Sequence, residues 1–447
     1  IIGAGPAGLA AIHSFNLAGL AFDAVEAHQD VGGLWNMDNP GSPIYKSAHF
    51  VSSKQQSCFI DFPMPDHYPD YPRWDQVRDY IHAWADKHEL RQHIEFNQRV
   101  VEAKPADDAG ESWLVTFEGG EVRRYQGIVA CPGFQRIPNL PEFPGHFSGE
   151  CYHSQQYQSR KQFEGKRILV VGGGNSGVDI ACDAAIAAES AAISLRRDYW
   201  FIPKHIRGIP FDWYDVSRSD QTTLAAWLTD YLGDAARFGL PVPDHLPLTH
   251  HPITNDQIIH YLTHGDLLLK PAIERLEGQT VHFTDGSHLE VGVIIFATGY
   301  QDRIAFIDEQ HLRIEPFNSD LFLWIFHKRY PNFLMLGVGN LTTSGYYGFN
   351  GTADLAANYV KIQQTYPDRY RIFRNTIEQK RPDLSRGFTY VQSAHHLEYV
   401  NAVALDRYMT RLMVRLKMKL YSFPRGAVPP SAQRIPVPRL NAAVTET

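Results

Sequence analysis

The chain has little cysteine. Its 447 residues include four, Cys58, Cys131, Cys151 and Cys182, and no two stand as a CxxC pair. So sparse a set suits neither a disulfide framework nor a thiolate metal site. It fits a reducing compartment, and a cytoplasmic location is expected. No metal site is expected. Long apolar runs are also missing. The longest, such as Val293–Ala297 and Leu321–Phe326, fall far short of the roughly 18 residues of a membrane helix, so no membrane span is expected. Positive charge is not in excess, since 42 Lys and Arg face 49 Asp and Glu for a net charge of −7. No basic stripe is present, and nucleic acid is not an expected partner.

What is present is a globular composition, 44% hydrophobic and 20% charged, with enough apolar side chains for sizeable cores. At about 150 residues per domain the length suggests about three domains, a count that an inserted domain would blur. The chain opens on Ile1-Ile2-Gly3, so a first strand is expected to start ahead of the numbered sequence.

Two glycine fingerprints carry most of the information. The first is Gly3-Ala4-Gly5-Pro6-Ala7-Gly8, with Glu26 eighteen residues past its last glycine. The second is Gly172-Gly173-Gly174-Asn175-Ser176-Gly177, with Arg196 nineteen residues past. Such glycines allow a strand to turn tightly into a helix whose N-terminus faces a pyrophosphate. An acid after the following strand hydrogen-bonds a free ribose 2′-hydroxyl, whereas an arginine suits a 2′-phosphate. Glu26 and Arg196 therefore predict two different dinucleotides, and FAD with NADPH is the pair that makes chemical sense. Arg197 extends the basic fork. Gly33, Leu34 and Trp35, in Val31-Gly32-Gly33-Leu34-Trp35, read as the loop that wraps the rest of the first dinucleotide. Ala297-Thr298-Gly299-Tyr300 follows the strand Val293–Phe296 and reads as a turn that brings backbone close to a cofactor.

The predicted elements around these motifs are a helix whose face is Leu9, Ala10, Ile12, Phe15 and Leu17, a strand Ala21–Val25, and an amphipathic helix Asp75–Leu90. Strands are expected at Lys166–Val171, Ala191–Leu195, Thr280–Phe283, His288–Ala297 and Leu321–Phe326. Helices are expected at Thr223–Tyr231, Ala353–Gln364 and Ala402–Leu416. The fold class is α/β, with two Rossmann-like dinucleotide-binding domains, the second inserted in the first. The expected boundaries are 1–158 and 287–447 for the FAD domain and 159–286 for the NADPH domain, which carries an aromatic-rich insertion at 199–265. The proline-dotted stretch 131–158 reads as the connector, and the tail from Pro424 as irregular.

In that connector stands Phe147-x-Gly149-xxx-His153-xxx-Tyr157. By chemistry alone His153 is a lone histidine with no carboxylate nearby in sequence, and nothing marks it as a base. The pattern resembles the fingerprint of the flavin-containing monooxygenases. The order of FAD fingerprint, GG-x-W loop, Phe/Gly/His linker, NADPH fingerprint and ATGY turn is similar to that family from residue 1 to about 360. Asp61-Phe62-Pro63, Pro252-Ile253-Thr254-Asn255 and Val281-His282-Phe283-Thr284-Asp285-Gly286 extend the likeness. The resemblance implies an NADPH- and O2-dependent enzyme that forms a C4a-hydroperoxyflavin and oxygenates a small soft nucleophile at amine nitrogen or sulfide sulfur. Related Baeyer–Villiger enzymes tend to carry Trp where Tyr157 stands, which favours the heteroatom branch.

Two departures from the family pattern stand out. An Asn near the reactive flavin is common in the family, and its position falls here on Val51, in His49-Phe50-Val51-Ser52-Ser53-Lys54. Valine cannot hydrogen-bond, which leaves the role to Ser52 or Ser53. Gly292 replaces a usual Asp. Other readings stay open: Baeyer–Villiger insertion, an uncoupled NADPH oxidase, or a non-enzymatic FAD/NADPH-binding regulator. A disulfide reductase would need a cysteine pair, and Cys131 and Cys151 are isolated. Tyr199, Trp200, Phe201, Phe211, Trp213 and Tyr214, or Tyr346, Tyr347 and Phe349, are candidates to shape a substrate cavity. A homodimer is the assembly considered.

Overall fold

The computed structural model describes all residues except 134, 136, 215–218, 302, 315–318, 340, 343–344, 392–399, 425–426, 428–434 and 438–447. Most of the irregular tail expected from Pro424 lies outside the described residues. The polypeptide divides into two units. One comprises Ile1–Ser42, Ser52–Ile137 and Gln301–Ala432, the other Pro43–Val51, Pro138–Tyr300 and Gln433–Thr447.

The first unit is organised by a short-stranded, partly parallel sheet. Ile2 bridges Val25 on one side and Ala130 on the other, both in parallel. Ala24–Val25 pairs with Ile94–Glu95, and Ile128–Ala130 pairs with Phe333–Met335, also in parallel. The expected strand Ala21–Val25 is thus only its last two residues. The helix Pro6–Leu17 follows the first fingerprint and packs on the long helix Tyr346–Thr365. Its face Leu9, Ala10, Ile12 and Phe15 is buried as expected, but Leu17 is 49% exposed at the helix end. An antiparallel ribbon of Val100–Pro105, Trp113–Phe117 and Val122–Tyr125 closes over the sheet. Trp113, Val115 and Phe117 meet Phe333 and Met335 in its core. Burying these side chains contributes roughly 1.5–3 kcal/mol each.

One expected strand is in fact a hairpin. Leu321–Phe322 and Phe326–His327 pair antiparallel, and Leu323 and Trp324 make the turn with positive φ angles of 55° and 61°. Non-glycine residues in that region are uncommon, so nothing in an unbroken apolar run announces the turn. The helix expected at 353–364 begins earlier, at Tyr346, which places Tyr346, Tyr347 and Phe349 in its first turn.

The second unit holds a five-stranded, all-parallel sheet. Its order is Leu268–Lys270, Ser190–Ser194, Arg167–Val171, Val293–Phe296, Glu150–His153. Continuous apolar runs such as Ile168–Val171 and Val293–Phe296 are buried throughout, as expected of strands covered on both faces. A smaller four-stranded sheet adds Gly145–Phe147, Ile273–Gly278, Thr280–Phe283 and His288–Glu290. The strand expected over His288–Ala297 is therefore two strands in two sheets. The break at Val291-Gly292 is a backbone step in which Gly292 N–H donates to the Arg167 carbonyl.

The boundaries differ from the expected 159–286. Glu150–His153 lies parallel to Val293–Phe296, so both flanks of that stretch belong to the second unit, which extends to Pro138–Tyr300. The segment Pro43–Val51 joins it as well. Among the described residues no helix is long and apolar enough to cross a membrane. Cys58, Cys131, Cys151 and Cys182 are all free thiols.

Candidate active site

The two glycine loops are built on one plan, and glycine is required at matching places for matching reasons. Gly3 and Gly172 have φ of +102° and +115°. A Cβ on Gly3 would sit 2.4 Å from the Cys131 carbonyl oxygen, and one on Gly172 would sit 2.4 Å from that of Ala297. The last glycines, Gly8 and Gly177, let each helix lie on its own loop. Their Cβ atoms would fall 1.9 Å from Gly3 O and 2.1 Å from Gly172 O. The backbone bonds correspond too. Cys131 N–H donates to Ile2 O, and Ala297 N–H to Val171 O. The Ala297-Thr298-Gly299 turn therefore stands to the second loop as Cys131-Pro132-Gly133 stands to the first.

The middle glycines differ from these, because the protein itself does not fill the space beside them. Gly174 caps its helix in extended conformation, and among the described residues no atom beyond its chain neighbours lies within 4 Å of where its Cβ would be. Gly5 would meet, among the described residues, the Gly33 backbone alone, its Cα at 3.6 Å and its N at 4.0 Å. These are the positions at which a ligand backbone approach calls for glycine. The first intrahelical bonds are Leu9 N–H to Gly5 O and Val178 N–H to Gly174 O. The N–H groups of Ala7 and Gly8, and those of Asn175, Ser176 and Gly177, are the ones a helix start leaves without intrahelical partners. Pro6, at the first helical position, has none to leave. Neither helix carries an acid in its first turn, so the positive end of each dipole is uncompensated.

Glu26 follows the strand Ala24–Val25 and is only 3% exposed. Its carboxylate accepts from Ala4 N–H at 2.6 Å and His28 N–H at 3.0 Å, which places it against the first fingerprint. Each oxygen keeps a lone pair for a hydroxyl. Gly33 lies against Gly5, where an added Cβ would come within 2.9 Å of the Gly5 Cα. Leu34 and Trp35 follow in a single 3-10 turn, so the loop expected to wrap the first dinucleotide does abut its fingerprint.

Arg196 and Arg197 follow Ser190–Ser194, Arg196 exposed and Arg197 half-buried. The nearby Tyr199 ring covers Gly173, whose Cβ would come within 2.5 Å of it. Asn175 and Ser176 are drawn into protein contacts. Asn175 Nδ2 donates to Pro252 O at 3.2 Å, and its Oδ1 accepts from Thr254 N–H at 2.9 Å. The Asn175 side chain is thus already spent on the Pro252–Asn255 segment, leaving its backbone N–H to face a ligand.

The linker motif is structural. Gly149 has room for no Cβ, which would lie 2.4 Å from the Gly292 carbonyl. Phe147 ends the strand Gly145–Phe147 and packs against the core of this unit. His153 Nδ1 accepts from Gln155 N–H at 3.2 Å, and its Nε2 lies 3.0 Å from the Gly299 carbonyl. That pairing selects the neutral Nε2–H tautomer, and burial lowers its pKa. His153 thus holds the Thr298-Gly299 turn in place. Tyr157 is fully buried, stacks on Phe163, and donates to Asp183 at 2.8 Å.

Val51 is 43% exposed, and its carbonyl accepts from the Thr254 hydroxyl at 3.4 Å. Ser52 shares its hydroxyl proton with Ser57 at 2.6 Å, and Ser53 is fully buried. Of the aromatic candidates, Phe201, Phe211, Tyr214 and Tyr346 are buried core residues. Tyr199 and Trp200, with His245 and His250, line a crevice that is nearly filled.

The sequence model of the flavin-binding monooxygenase-like family matches residues 1–421. The chain belongs to this family. It is an FAD-dependent monooxygenase that uses NADPH. It is similar to flavin-containing monooxygenase 1 of Oryctolagus cuniculus, 31% identical over 400 residues that cover 82% of this chain and 75% of the rabbit protein. It is also 31% identical to flavin-containing monooxygenase 3 of Canis lupus familiaris, over 90% of this chain and 81% of that one. Among solved structures, cyclohexanone monooxygenase in its open form superposes with a TM-score of 0.66 at 17% identity, covering 92% of this chain and 96% of that one. S-allyl-L-cysteine S-oxygenase of Allium sativum superposes at 0.59 and 17%, covering 94% of each. At such identities the superpositions bear on the fold of this monooxygenase alone.

Proposed function

We propose that this monooxygenase transfers one atom of O2 to a small soft nucleophile, an amine nitrogen or a sulfide sulfur. The observation that carries the reading is the pair of like-built glycine loops, one faced by the Glu26 carboxylate and the other followed by the Arg196–Arg197 pair. In this reading the first loop, Glu26 and Gly33-Leu34-Trp35 hold FAD. The second loop, Arg196, Arg197 and the Ala297-Thr298-Gly299 turn hold NADPH.

Bound FAD, reduced by NADPH, supplies the oxygen chemistry. The chain's own residues bind and orient. Glu26 receives a ribose hydroxyl while two backbone N–H groups fix its carboxylate. The N–H groups of Ala7 and Gly8 meet one pyrophosphate, and those of Asn175, Ser176 and Gly177 meet the other. Arg196 clamps a 2′-phosphate from the solvent edge. His153 stays neutral and fixes the Gly299 carbonyl, so the turn beside the second loop does not drift. Residues 51–53 are proposed to line the flavin's reacting edge. Val51 can only exclude water there, so hydrogen bonding falls to a serine or to backbone. No acid–base pair is required.

The test is product analysis with purified, FAD-loaded protein, NADPH and air. The probes are N,N-dimethylaniline, thioanisole and cyclohexanone. N-oxide or sulfoxide formed in step with NADPH consumption supports the reading. Lactone as the main product would move the enzyme to the Baeyer–Villiger branch.

A further inference from the structure

The second nucleotide helix, Asn175–Ala187, carries two carboxylates on its inner face that the proposed cofactor contacts do not use. Asp179 and Asp183 stand one turn apart. Asp179 accepts from the Tyr45 hydroxyl at 2.9 Å and from Asn255 Nδ2 at 2.6 Å. Asp183 accepts from the Tyr157 hydroxyl at 2.8 Å and from the Ser47 hydroxyl. Tyr45 also reaches Ser176, in the fingerprint itself. One turn earlier Asn175 grips Pro252 and Thr254, and Thr254 donates to the Val51 carbonyl.

Two like charges on one helix face are unfavourable, and burial adds to the cost. Burial raises the Asp179 pKa, and the ammonium of the half-buried Lys204 lies near enough to oppose that rise. Such a pair persists where its hydrogen bonds fix something. Three of these bonds end on one chain segment, Pro43–Val51, tied at Tyr45, Ser47 and Val51. A main-chain bond from Lys46 N–H to Gln158 O adds a fourth tie.

We infer that Asp179 is a positioning residue: with Tyr45 and Asn255 it locks the segment that ends at Val51 onto the helix that starts at the NADPH loop. This inference rests on the function proposed above. Val51 has no hydrogen-bonding side chain, so only its backbone can be tied, as its carbonyl is by Thr254. Asp179 holds the segment from the nucleotide helix, and the Thr254 hydroxyl holds it from the Pro252–Asn255 segment that Asn175 grips.

The test uses full-length, FAD-loaded protein and three variants, Tyr45→Phe, Asp179→Asn and Thr254→Val. The readouts are NADPH consumption and H2O2 release without organic substrate, the KM for NADPH, and amide hydrogen exchange over residues 43–51. The expected result is at least a fivefold rise in substrate-free H2O2 release in Tyr45→Phe and Asp179→Asn. The KM for NADPH should stay within twofold, and exchange should quicken over 43–51. Tyr45→Phe removes one hydroxyl and keeps the ring, so it serves if Asp179→Asn fails to fold. Unchanged H2O2 release and unchanged exchange would overturn the inference, as would a KM rising in proportion to the leak. A parent protein that consumes no NADPH would instead defeat the proposed function, and the two failures are thereby told apart.

Discussion

Gly174→Ala separates ligand contact from folding. The residue sits at φ −71° and ψ 173°, a conformation alanine adopts freely, and a Cβ there meets no described atom beyond its chain neighbours within 4 Å. Replacing glycine at such a site stabilises by about 0.4–1 kcal/mol, through the unfolded chain. The folded protein should therefore be as stable as its parent or slightly more so. If the pyrophosphate of NADPH lies against this backbone, the methyl group displaces it from the N–H groups of Asn175, Ser176 and Gly177. A hydrogen bond to a charged group contributes about 1.5–3 kcal/mol, and each 1.4 kcal/mol is a factor of ten. Losing one such bond raises the KM for NADPH about 10- to 100-fold. The assay is steady-state NADPH oxidation, beside a melting curve and flavin content. Gly177→Ala is the contrast. Its Cβ would lie 2.1 Å from Gly172 O, so it should lose stability by about 1–3 kcal/mol or more, as overpacked sites do. A Gly174→Ala protein with normal stability, normal flavin and an unchanged KM would refute the placement of NADPH on this loop.

Other expectations are as specific. Arg196→Ala should raise the KM for NADPH about tenfold or more while leaving that for NADH nearly unchanged, and equal effects on both would remove the 2′-phosphate assignment. Glu26→Ala should lose FAD on gel filtration, read as the ratio of flavin to protein absorbance, with retention in full counting against it. Stability should fall on mild acidification. His327, 2% exposed and held by the Arg329 and Tyr330 N–H groups, has its pKa lowered by burial to about 4. The unfolded chain therefore binds the extra proton between about pH 6.5 and 4, and stability is lost as pH falls through that window, by on the order of 3 kcal/mol at its end. His13, also lowered to about 4, acts in the same direction. Asp354, raised by burial to about 6, opposes them, since its contribution is lost as pH rises from its unfolded value through 6. Comparing melting temperatures at pH 7.5 and 5 for the parent and His327→Gln isolates the histidine. A variant with the parent's pH slope would contradict it.

The sequence carried both glycine loops, Glu26 and the helix expected at Asp75–Leu90, observed as Trp74–Lys87 with Val77, Tyr80, Ile81 and Trp84 buried, because local chemistry decides them. Tight turns demand glycine, and a helix face repeats with its own period. Long-range pairing was not legible in the same way. The stretch 131–158 reads as a linker, yet Glu150–His153 becomes the edge strand of the parallel sheet by pairing with residues more than 140 positions on. The helix Pro367–Gln379 was missed because it is rich in charge and buries only Phe373, Thr376 and Ile377. Asn175 and Ser176 read as cofactor contacts by motif alone. Only the fold reveals that the Asn175 side chain serves the Pro252–Asn255 segment and that Tyr45 crosses to Asp179. Such polar networks leave no periodic trace in sequence.

The central claim is that one loop receives a flavin nucleotide and the other a phosphorylated nicotinamide nucleotide. Anaerobic titration of the purified protein reads both at once. The account predicts a yellow protein with stoichiometric FAD whose absorbance bleaches at far lower NADPH than NADH. A colourless protein that takes up no flavin, or one bleached equally by the two reductants, would contradict it.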